Sequence, residues 1–141
     1  MKLPQTLGMV VALGLAACDP LPLTEFRNAG AQSVTLPSEK PVHIAWASAP
    51  PAEIRPRGRV RVLGVPQKLI VQVGPCEYLY TMPETGLSHG FGSVNRVEIV
   101  RDSGLYLLRV EREDGSYAPL TRETQPVGWP VHPVSKTCRP D

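Results

Sequence analysis

The chain has 141 residues, with 15 Lys and Arg against 13 Asp and Glu and a formal net charge of +2. Its length suits one modest domain, and its near-neutral charge gives no electrostatic basis for binding nucleic acid. Because the chain contains 16 prolines, which break helix interiors, and lacks sustained helical periodicity, we expect an all-β fold.

The N-terminus has the pattern of an export signal. Lys2 precedes an apolar run from Leu7 to Ala17, which ends in small residues. That run is much shorter than the roughly 20 residues that a membrane-spanning helix needs. Residues 1–17 are therefore predicted to form a signal peptide.

The last residues of this run, Leu15-Ala16-Ala17-Cys18, resemble the lipobox of bacterial lipoproteins. The resemblance implies cleavage before Cys18 and acylation of Cys18, which would hold the chain on a membrane, facing the periplasm. An ordinary cleaved signal and an uncut N-terminal anchor are the alternatives. Asp19 resembles the signal that retains enterobacterial lipoproteins on the inner membrane, with the outer membrane as the alternative.

Residues 18–41 lack periodicity and are rich in Pro, Ala, Gln and Ser. They are predicted to form a flexible membrane tether, which could reach on the order of 60–70 Å if fully stretched. The single β domain is then expected to comprise residues 42–141. A short strand is predicted at 42–46, followed by a break at Pro50-Pro51.

Four arginines alternate with other residues before and within the next strand: Arg55, Arg57, Arg59 and Arg61. On an extended strand this spacing places all four guanidinium groups on one side. The row is a candidate for binding anionic lipid head groups, an acidic partner or cell-wall carboxylates. The alternative is a solvated edge strand whose charges discourage aggregation.

Three β-branched or aromatic runs follow, at 59–63, 68–73 and 76–82. We expect the first two to pair as a hairpin through Val65-Pro66-Gln67-Lys68, because proline suits the second position of such a turn. Gly74-Pro75 separates the second run from the third.

A polar, glycine-rich loop is predicted from Pro83 to Ser93, with Phe91 at its tip as a candidate partner-binding residue. The adjacent Ser88 and His89 do not by themselves form a catalytic dyad.

The clearest hairpin joins 94–100 to 105–111 through Arg101-Asp102-Ser103-Gly104. The preferred register sets Val100 opposite Leu105, and a three-residue Asp-Ser-Gly loop is the alternative. The preferred register places one set of side chains on a common face: Val97, Ile99, Tyr106, Leu108 and Val110. Ser103-Gly104-Leu105-Tyr106 is faintly similar to the Ser-Gly-x-x-Tyr loop of periplasmic lysozyme-inhibitor lipoproteins, although its tyrosine comes one residue early.

The proline-rich segment from Gln125 is predicted to be an extended or edge-strand arm. Its Trp129 either caps the core or docks an extended peptide, and it is a further candidate partner-binding residue. If Cys18 is acylated, Cys76 and Cys138 remain as a pair in an oxidising compartment, and we predict a disulfide. No Cys-x-x-Cys spacing occurs and His43, His89 and His132 are scattered, so no metal site or cofactor is predicted.

These patterns predict a small antiparallel β-sandwich or open barrel of about six to seven strands. The expected function is a non-enzymatic interaction or assembly subunit of the bacterial envelope, in secretion, conjugation or pilus-type machinery. Its expected partners are the membrane, through Cys18, and an envelope protein. The alternatives are a periplasmic inhibitor or immunity-type lipoprotein that binds a lysozyme-like enzyme, and a small cell-wall hydrolase.

Overall fold

The computed structural model describes residues 21–42, 51–112, 114–117 and 119–140. The predicted signal peptide, Cys18 and most of the strand predicted at 42–46 lie outside these residues. No helix in the described ranges is long and apolar enough to cross a membrane.

The described residues form a two-layer β-sandwich. Nine strands are assigned there: β1 (Leu23–Asn28), β2 (Val34–Leu36), β3 (Ala52–Ile54), β4 (Arg59–Leu63), β5 (Lys68–Val73), β6 (Cys76–Thr81), β7 (Val94–Asp102), β8 (Leu105–Val110) and β9 (Ser135–Cys138), with a 3₁₀ turn at Arg122–Thr124. Sheet 1 has the order β4-β1-β7-β8 and sheet 2 the order β3-β2-β5-β6-β9. The β1–β7 pair is parallel, whereas the other strand pairs are antiparallel.

The core lies between the two sheets, and alternation is clearest along β4 and β5. In β5, for example, Leu69, Val71 and Val73 are buried while the residues between them are more exposed. One set of side chains faces inward and the other faces solvent because successive Cβ atoms of a strand point to opposite sides. The all-β prediction is thus confirmed, and the architecture is a sandwich.

The predicted tether at 18–41 is wrong for the residues that form β1 and β2. β1 lies between β4 and β7 in sheet 1, and β2 lies between β3 and β5 in sheet 2. The alternation of β1 is hidden in the sequence because two of its inward residues, Thr24 and Asn28, are polar although both are fully buried. The domain therefore includes described residues from about 21 onwards, about twenty residues before the predicted boundary.

The two inward-facing polar residues of β1 are satisfied by hydrogen bonds, as burial requires. The Thr24 hydroxyl donates to the carbonyl of Gly64 at 2.7 Å. The Asn28 amide nitrogen donates to the carbonyls of Gln32 and Ile54, and its oxygen accepts from the Gly30 N–H.

The strands predicted at 59–63 and 68–73 are confirmed as β4 and β5, but they do not form a hairpin. β4 pairs with β1 in sheet 1, whereas β5 pairs with β2 and β6 in sheet 2. The connection through Gly64 and Pro66 therefore crosses from one layer to the other. A turn signal marks where the chain reverses, but it does not decide which strand becomes the hydrogen-bonding partner.

The hairpin of β7 and β8 is confirmed, but neither register considered from the sequence is correct. Asp102 pairs with Leu105 and Ile99 with Leu108, so the turn is the two-residue Ser103-Gly104. Both residues have positive φ, 50° and 82°, as a tight hairpin turn requires. The preferred register is wrong by two positions, which preserves the side of every residue, and the common inward face is therefore confirmed.

The sandwich has two chemically different ends. At the N-terminal end, where the described chain begins, the Gly64 N–H donates to the carbonyl of Pro22 and the Leu23 N–H donates to that of Ser93. At the opposite end, the Arg57 N–H donates to the carbonyl of Asn28. This distal end also contains the turns at 74–75 and 103–104.

Candidate partner-binding surface

The outward face of sheet 1 carries a two-row lattice of charged side chains. Strand pairing places Arg61, Glu25, Arg96 and Glu111 in one row across the sheet, and Arg59, Arg27, Glu98 and Arg109 in the next. We call these eight residues the arginine face. Its five arginines and three glutamates leave an excess of two positive charges.

Glu25 organises the first row. Its carboxylate, in a residue only 5% exposed, accepts a hydrogen bond from Arg61 Nε at 2.9 Å. Arg59 Nη1 and Arg96 Nε lie 3.8 Å and 3.7 Å from its other oxygen. Arg96 also reaches Glu111 at 3.3 Å, so the guanidinium groups form a continuous layer above the buried carboxylate.

Glu98 organises the second row. It is 3% exposed and accepts hydrogen bonds from Arg109, whose Nε lies 2.8 Å from Oε1, while Arg27 Nη1 lies 3.4 Å from Oε2. The Tyr117 ring covers this end of the row, with its centroid 5.3 Å from the Arg109 guanidinium carbon. Partial burial, together with the carboxylates of Glu98 and Glu111, raises the pKa of the Tyr117 phenol.

The positive excess is concentrated where β4 meets β1. Arg27 and Arg59 are directly paired across these strands, and like charges in that position repel each other. Arg27 Nε is buried without a hydrogen-bond partner among the described residues. A pocket of about 420 Å³ opens beside this corner, lined in part by Leu23, Val42 and Arg61. An anionic group would find partly exposed arginines and an apolar wall there.

The predicted row of four arginines is only half correct. Arg59 and Arg61 occupy alternate outward positions of β4, as expected. Arg55 and Arg57 instead lie in the turn before β4, at the distal end, where the Gly58 N–H donates to the carbonyl of Arg55 and Arg57 has a φ of 65°. Pro56 and Gly58 favour a turn, which breaks the two-residue period of an extended strand.

The two aromatic candidates have opposite environments. Phe91 is 74% exposed in the loop between β6 and β7, as expected of a residue available to a partner. Trp129 is only 2% exposed, and its Nε1 donates to the carbonyl of Thr85 at 2.8 Å. The partner-binding prediction for Trp129 is therefore wrong, because its ring fills the core at the N-terminal end.

The predicted cysteine pair is joined in the structure. Cys76 and Cys138 are register partners on β6 and β9, and their Sγ atoms lie 2.07 Å apart. β9 is the edge strand of sheet 2, so the C-terminal arm forms an edge strand as predicted. Lipidation at Cys18 stays a prediction, since that residue lies outside the described ranges.

The histidines and Ser88 do not assemble into a catalytic group within the described residues. His89 lines a pocket of about 600 Å³ with Glu84, but no hydrogen bond joins the two side chains, and His132 lines a separate pocket. The Ser88 hydroxyl accepts a hydrogen bond from the Gly90 N–H at 3.3 Å. His43 lies outside the described ranges, within which no group of three metal-ligating residues occurs.

The segment Ser103-Gly104-Leu105-Tyr106 is built as a hairpin turn followed by β8. The Tyr106 ring is buried and packs edge-on against Tyr78, with centroids 5.4 Å apart. That tyrosine is consequently not presented on the loop surface.

Sequence reasoning did not identify six of the eight residues of the arginine face as site residues: Arg27, Arg96, Arg109, Glu25, Glu98 and Glu111. Within β7 the alternation of Arg96 and Glu98 places both on the outward face, and this signal was available. Glu25 and Arg27 could not be assigned because β1 was not recognised as a strand.

Comparison of the chain with protein-family models, with curated proteins and with solved structures finds no match.

Proposed function

We propose that the protein is a lipid-anchored subunit of the bacterial cell envelope that binds an acidic protein partner through the arginine face. The export pattern of residues 1–17 and the lipobox-like Leu15-Ala16-Ala17-Cys18 support the anchor. Acylation would keep the sandwich within reach of one membrane, where it acts in assembly, as in secretion, conjugation or pilus-type machinery. No enzymatic step is assigned to it.

The positive charge excess on the outward face of sheet 1 is the main support for this proposal. Glu25 and Glu98 are buried beneath the guanidinium layer, so they orient the arginines without being exposed to a partner themselves. Arg27, Arg59, Arg61 and Arg96 keep a third or more of each side chain exposed. Arginine forms planar, paired hydrogen bonds with carboxylates and is enriched among residues that dominate interface energetics.

The corner of Arg27 and Arg59 is the strongest point of this surface. Each arginine shares its carboxylate with a closer arginine, Arg109 at Glu98 and Arg61 at Glu25. A partner carboxylate placed between Arg27 and Arg59 would relieve their mutual repulsion and leave the network below intact. The adjoining pocket beside Leu23 could receive an apolar side chain of the same partner.

Two pairs of arginine substitutions test this surface at equal cost in charge. Arg59→Gln/Arg61→Gln removes two positive charges from the arginine face, whereas Arg55→Gln/Arg57→Gln removes two from the distal turn. Each variant of the full gene is expressed in its own host, crosslinked in membranes, solubilised in detergent and captured. We expect the intensity of the crosslinked partner band to fall about tenfold or more for the first pair and to remain unchanged for the second.

Several outcomes would contradict the proposal. Equal losses in both pairs would show that net charge, and not the arginine face, determines capture. Recovery of the protein without any partner would remove the assembly role. A captured lysozyme-like enzyme that loses activity in the complex would favour the inhibitor alternative. As a control, thermal unfolding of both variants verifies that they fold.

The anchor is tested separately by labelling with a radioactive palmitate and by fractionation. We expect the wild-type chain to carry label and to sediment with membranes, and Cys18→Ser to do neither. An unlabelled mature chain in the aqueous fraction would overturn the lipoprotein assignment.

A further inference from the structure

The N-terminal end of the sandwich carries four exposed apolar side chains. Phe91 and Val127 are 74% and 82% exposed, and Leu21 and Leu63 are also exposed. We call these four residues the apolar end.

The four residues are held together by contacts between the segments that carry them. Leu63 ends β4 opposite Leu23, and the adjoining Gly64 N–H binds the carbonyl of Pro22, next to Leu21. The loop that carries Phe91 reaches the same place, since the Leu23 N–H donates to the carbonyl of Ser93. The Thr85 hydroxyl of that loop donates to the carbonyl of Val127.

The distal end has the opposite character. Its turns expose Arg55, Arg57, Asp102 and Ser103, and Leu105 is the one large apolar side chain that the described residues expose there. The apolar residues are therefore unevenly distributed, with most of the exposed ones at the end where the described chain begins.

The length of chain before the apolar end limits how far it can lie from an anchor. Cys18 precedes Leu21 by three peptide units, so their Cα atoms are at most about 11 Å apart in any conformation. β1 begins at Leu23, which removes the long tether expected from the sequence. A lipid on Cys18 would thus hold the apolar end at the depth of the head groups.

We infer that the apolar end rests on the bilayer, with Phe91 and Val127 inserted at the boundary between head groups and acyl chains. Because this placement rests on the anchor at Cys18 proposed above, it concerns the lipidated protein alone. The strands then run away from the membrane, β1 rises roughly 17 Å over its six residues, and the distal turn points into the aqueous compartment.

This orientation sets the access to the arginine face. The face lies on the side of the sandwich, beside the membrane and not against it. A partner would then approach laterally, along the membrane surface. Insertion of Phe91 and Val127 also restricts rotation of the domain about its single lipid anchor. The arginine face is therefore held at a defined height above the membrane.

Site-specific labels on the lipidated protein test the placement. Cys76 and Cys138 are bonded to each other and Cys18 would be acylated, so an introduced cysteine is the only free thiol. His89→Cys reports from beside Phe91, and Arg55→Cys reports from the distal turn. Each mature chain, purified from membranes, is labelled with a fluorophore and reconstituted in vesicles of phosphatidylethanolamine and phosphatidylglycerol.

We expect a quencher carried on lipid chains to quench the label at position 89, and a water-soluble quencher to quench the label at position 55. Adding Phe91→Ser and Val127→Ser should lower the docked fraction, shifting the ratio of the two quenching rates at position 89 about tenfold or more towards water. Leu105→Ser, which removes an exposed apolar side chain at the distal end instead, should leave that ratio unchanged.

Sedimentation with the vesicles separates the two ways of failing. A chain that does not sediment lacks the anchor, which overturns the proposed lipidation and this placement together. A chain that sediments with position 89 fully accessible to the water-soluble quencher overturns the placement alone. Protection from that quencher without quenching by lipid would assign the apolar end to a protein contact, and would also overturn it.

Discussion

One hydroxyl group joins the two sheets through the core. The side chain of Tyr80, on β6 of sheet 2, donates a 2.6 Å hydrogen bond to the carbonyl of Tyr106, on β8 of sheet 1. Burial raises the pKa of the Tyr80 phenol above its ordinary value of 10, and the neighbouring Tyr78 and Tyr106 act in the same direction. The folded state therefore favours the neutral phenol, which keeps this bond.

Tyr80→Phe should cost about 1 kcal/mol of unfolding free energy near neutral pH, through loss of this buried hydrogen bond. It should also reduce the sensitivity to alkali. Since the folded pKa is raised, the stabilisation is fully present below pH 10 and declines as the pH rises from there towards the folded pKa.

Urea unfolding at pH 9 and pH 11 measures both effects. Between these pH values the unfolding free energy of the wild type should fall by roughly 1 kcal/mol more than that of Tyr80→Phe. The variant lacks the phenol of Tyr80, whose ionisation in alkali is favoured by unfolding. Parallel pH curves for the two chains would contradict the raised pKa.

Glu25 shows how one buried residue shapes a surface. Its carboxylate contacts three arginines that lie more than thirty residues away from it in the sequence, Arg59, Arg61 and Arg96. Each of these pairs is partly exposed and individually worth about 1 kcal/mol or less. Its main role is therefore to position the guanidinium groups, and the contribution to stability is secondary.

At the scale of elements, the loop between β6 and β7 is locked to the C-terminal arm. Trp129 donates to the carbonyl of Thr85, and Gly86 lies against the indole ring. A Cβ at Gly86 would come within 2.8 Å of Trp129 Nε1, and Gly86 has a φ of +81°. Glycine is thus required there for space and for conformation.

Gly104 provides a matched control for that requirement. It has nearly the same φ, +82°, but a Cβ there would meet nothing within 4 Å. Both alanine variants incur the strain of positive φ, about 1 kcal/mol. We expect Gly86→Ala to cost about 2 kcal/mol more than Gly104→Ala, since it must also displace a buried ring.

Urea unfolding of the two variants decides this. Equal costs would show that the contact between the loop and the arm does not constrain the native state. A larger cost for Gly104→Ala would mean that the hairpin turn of β7 and β8 is the more sensitive element.

At the scale of the whole molecule, the Cys76–Cys138 disulfide fastens an otherwise weakly held edge. All four residues of β9 are exposed, so the strand is held by its pairing with β6 and by the disulfide. The bond joins residues separated by 62 positions. A disulfide that closes a loop of this length stabilises the folded state by about 4 kcal/mol, when only the lowered entropy of the unfolded chain is counted.

Cys76→Ala/Cys138→Ala should therefore lower the unfolding free energy by up to about 4 kcal/mol. Amide hydrogens of residues 135–138 should exchange faster in this variant, while those of β7 remain the slowest under conditions where the protein stays folded. Unchanged exchange in β9 would show that backbone pairing alone holds the edge strand.

The sequence alone determined the inward face of the β7–β8 hairpin and the outward positions of Arg59 and Arg61, because alternation assigns sides whatever the partner strand. It also determined the export and lipobox-like pattern, the pairing of Cys76 with Cys138, and the exposure of Phe91. Even a register wrong by two positions left Val97, Ile99 and Leu108 on the correct side.

Only the tertiary structure decided which strands pair and what covers each face. β1 was hidden because Thr24 and Asn28 are buried polar residues whose hydrogen-bond partners, Gly64 and Ile54, lie far along the chain. Strand order, the parallel β1–β7 pair and the arginines around Glu25 depend on contacts between distant segments. Such contacts leave no pattern in the local sequence. Each residue could pair with many others, and only the complete fold determines which pair forms.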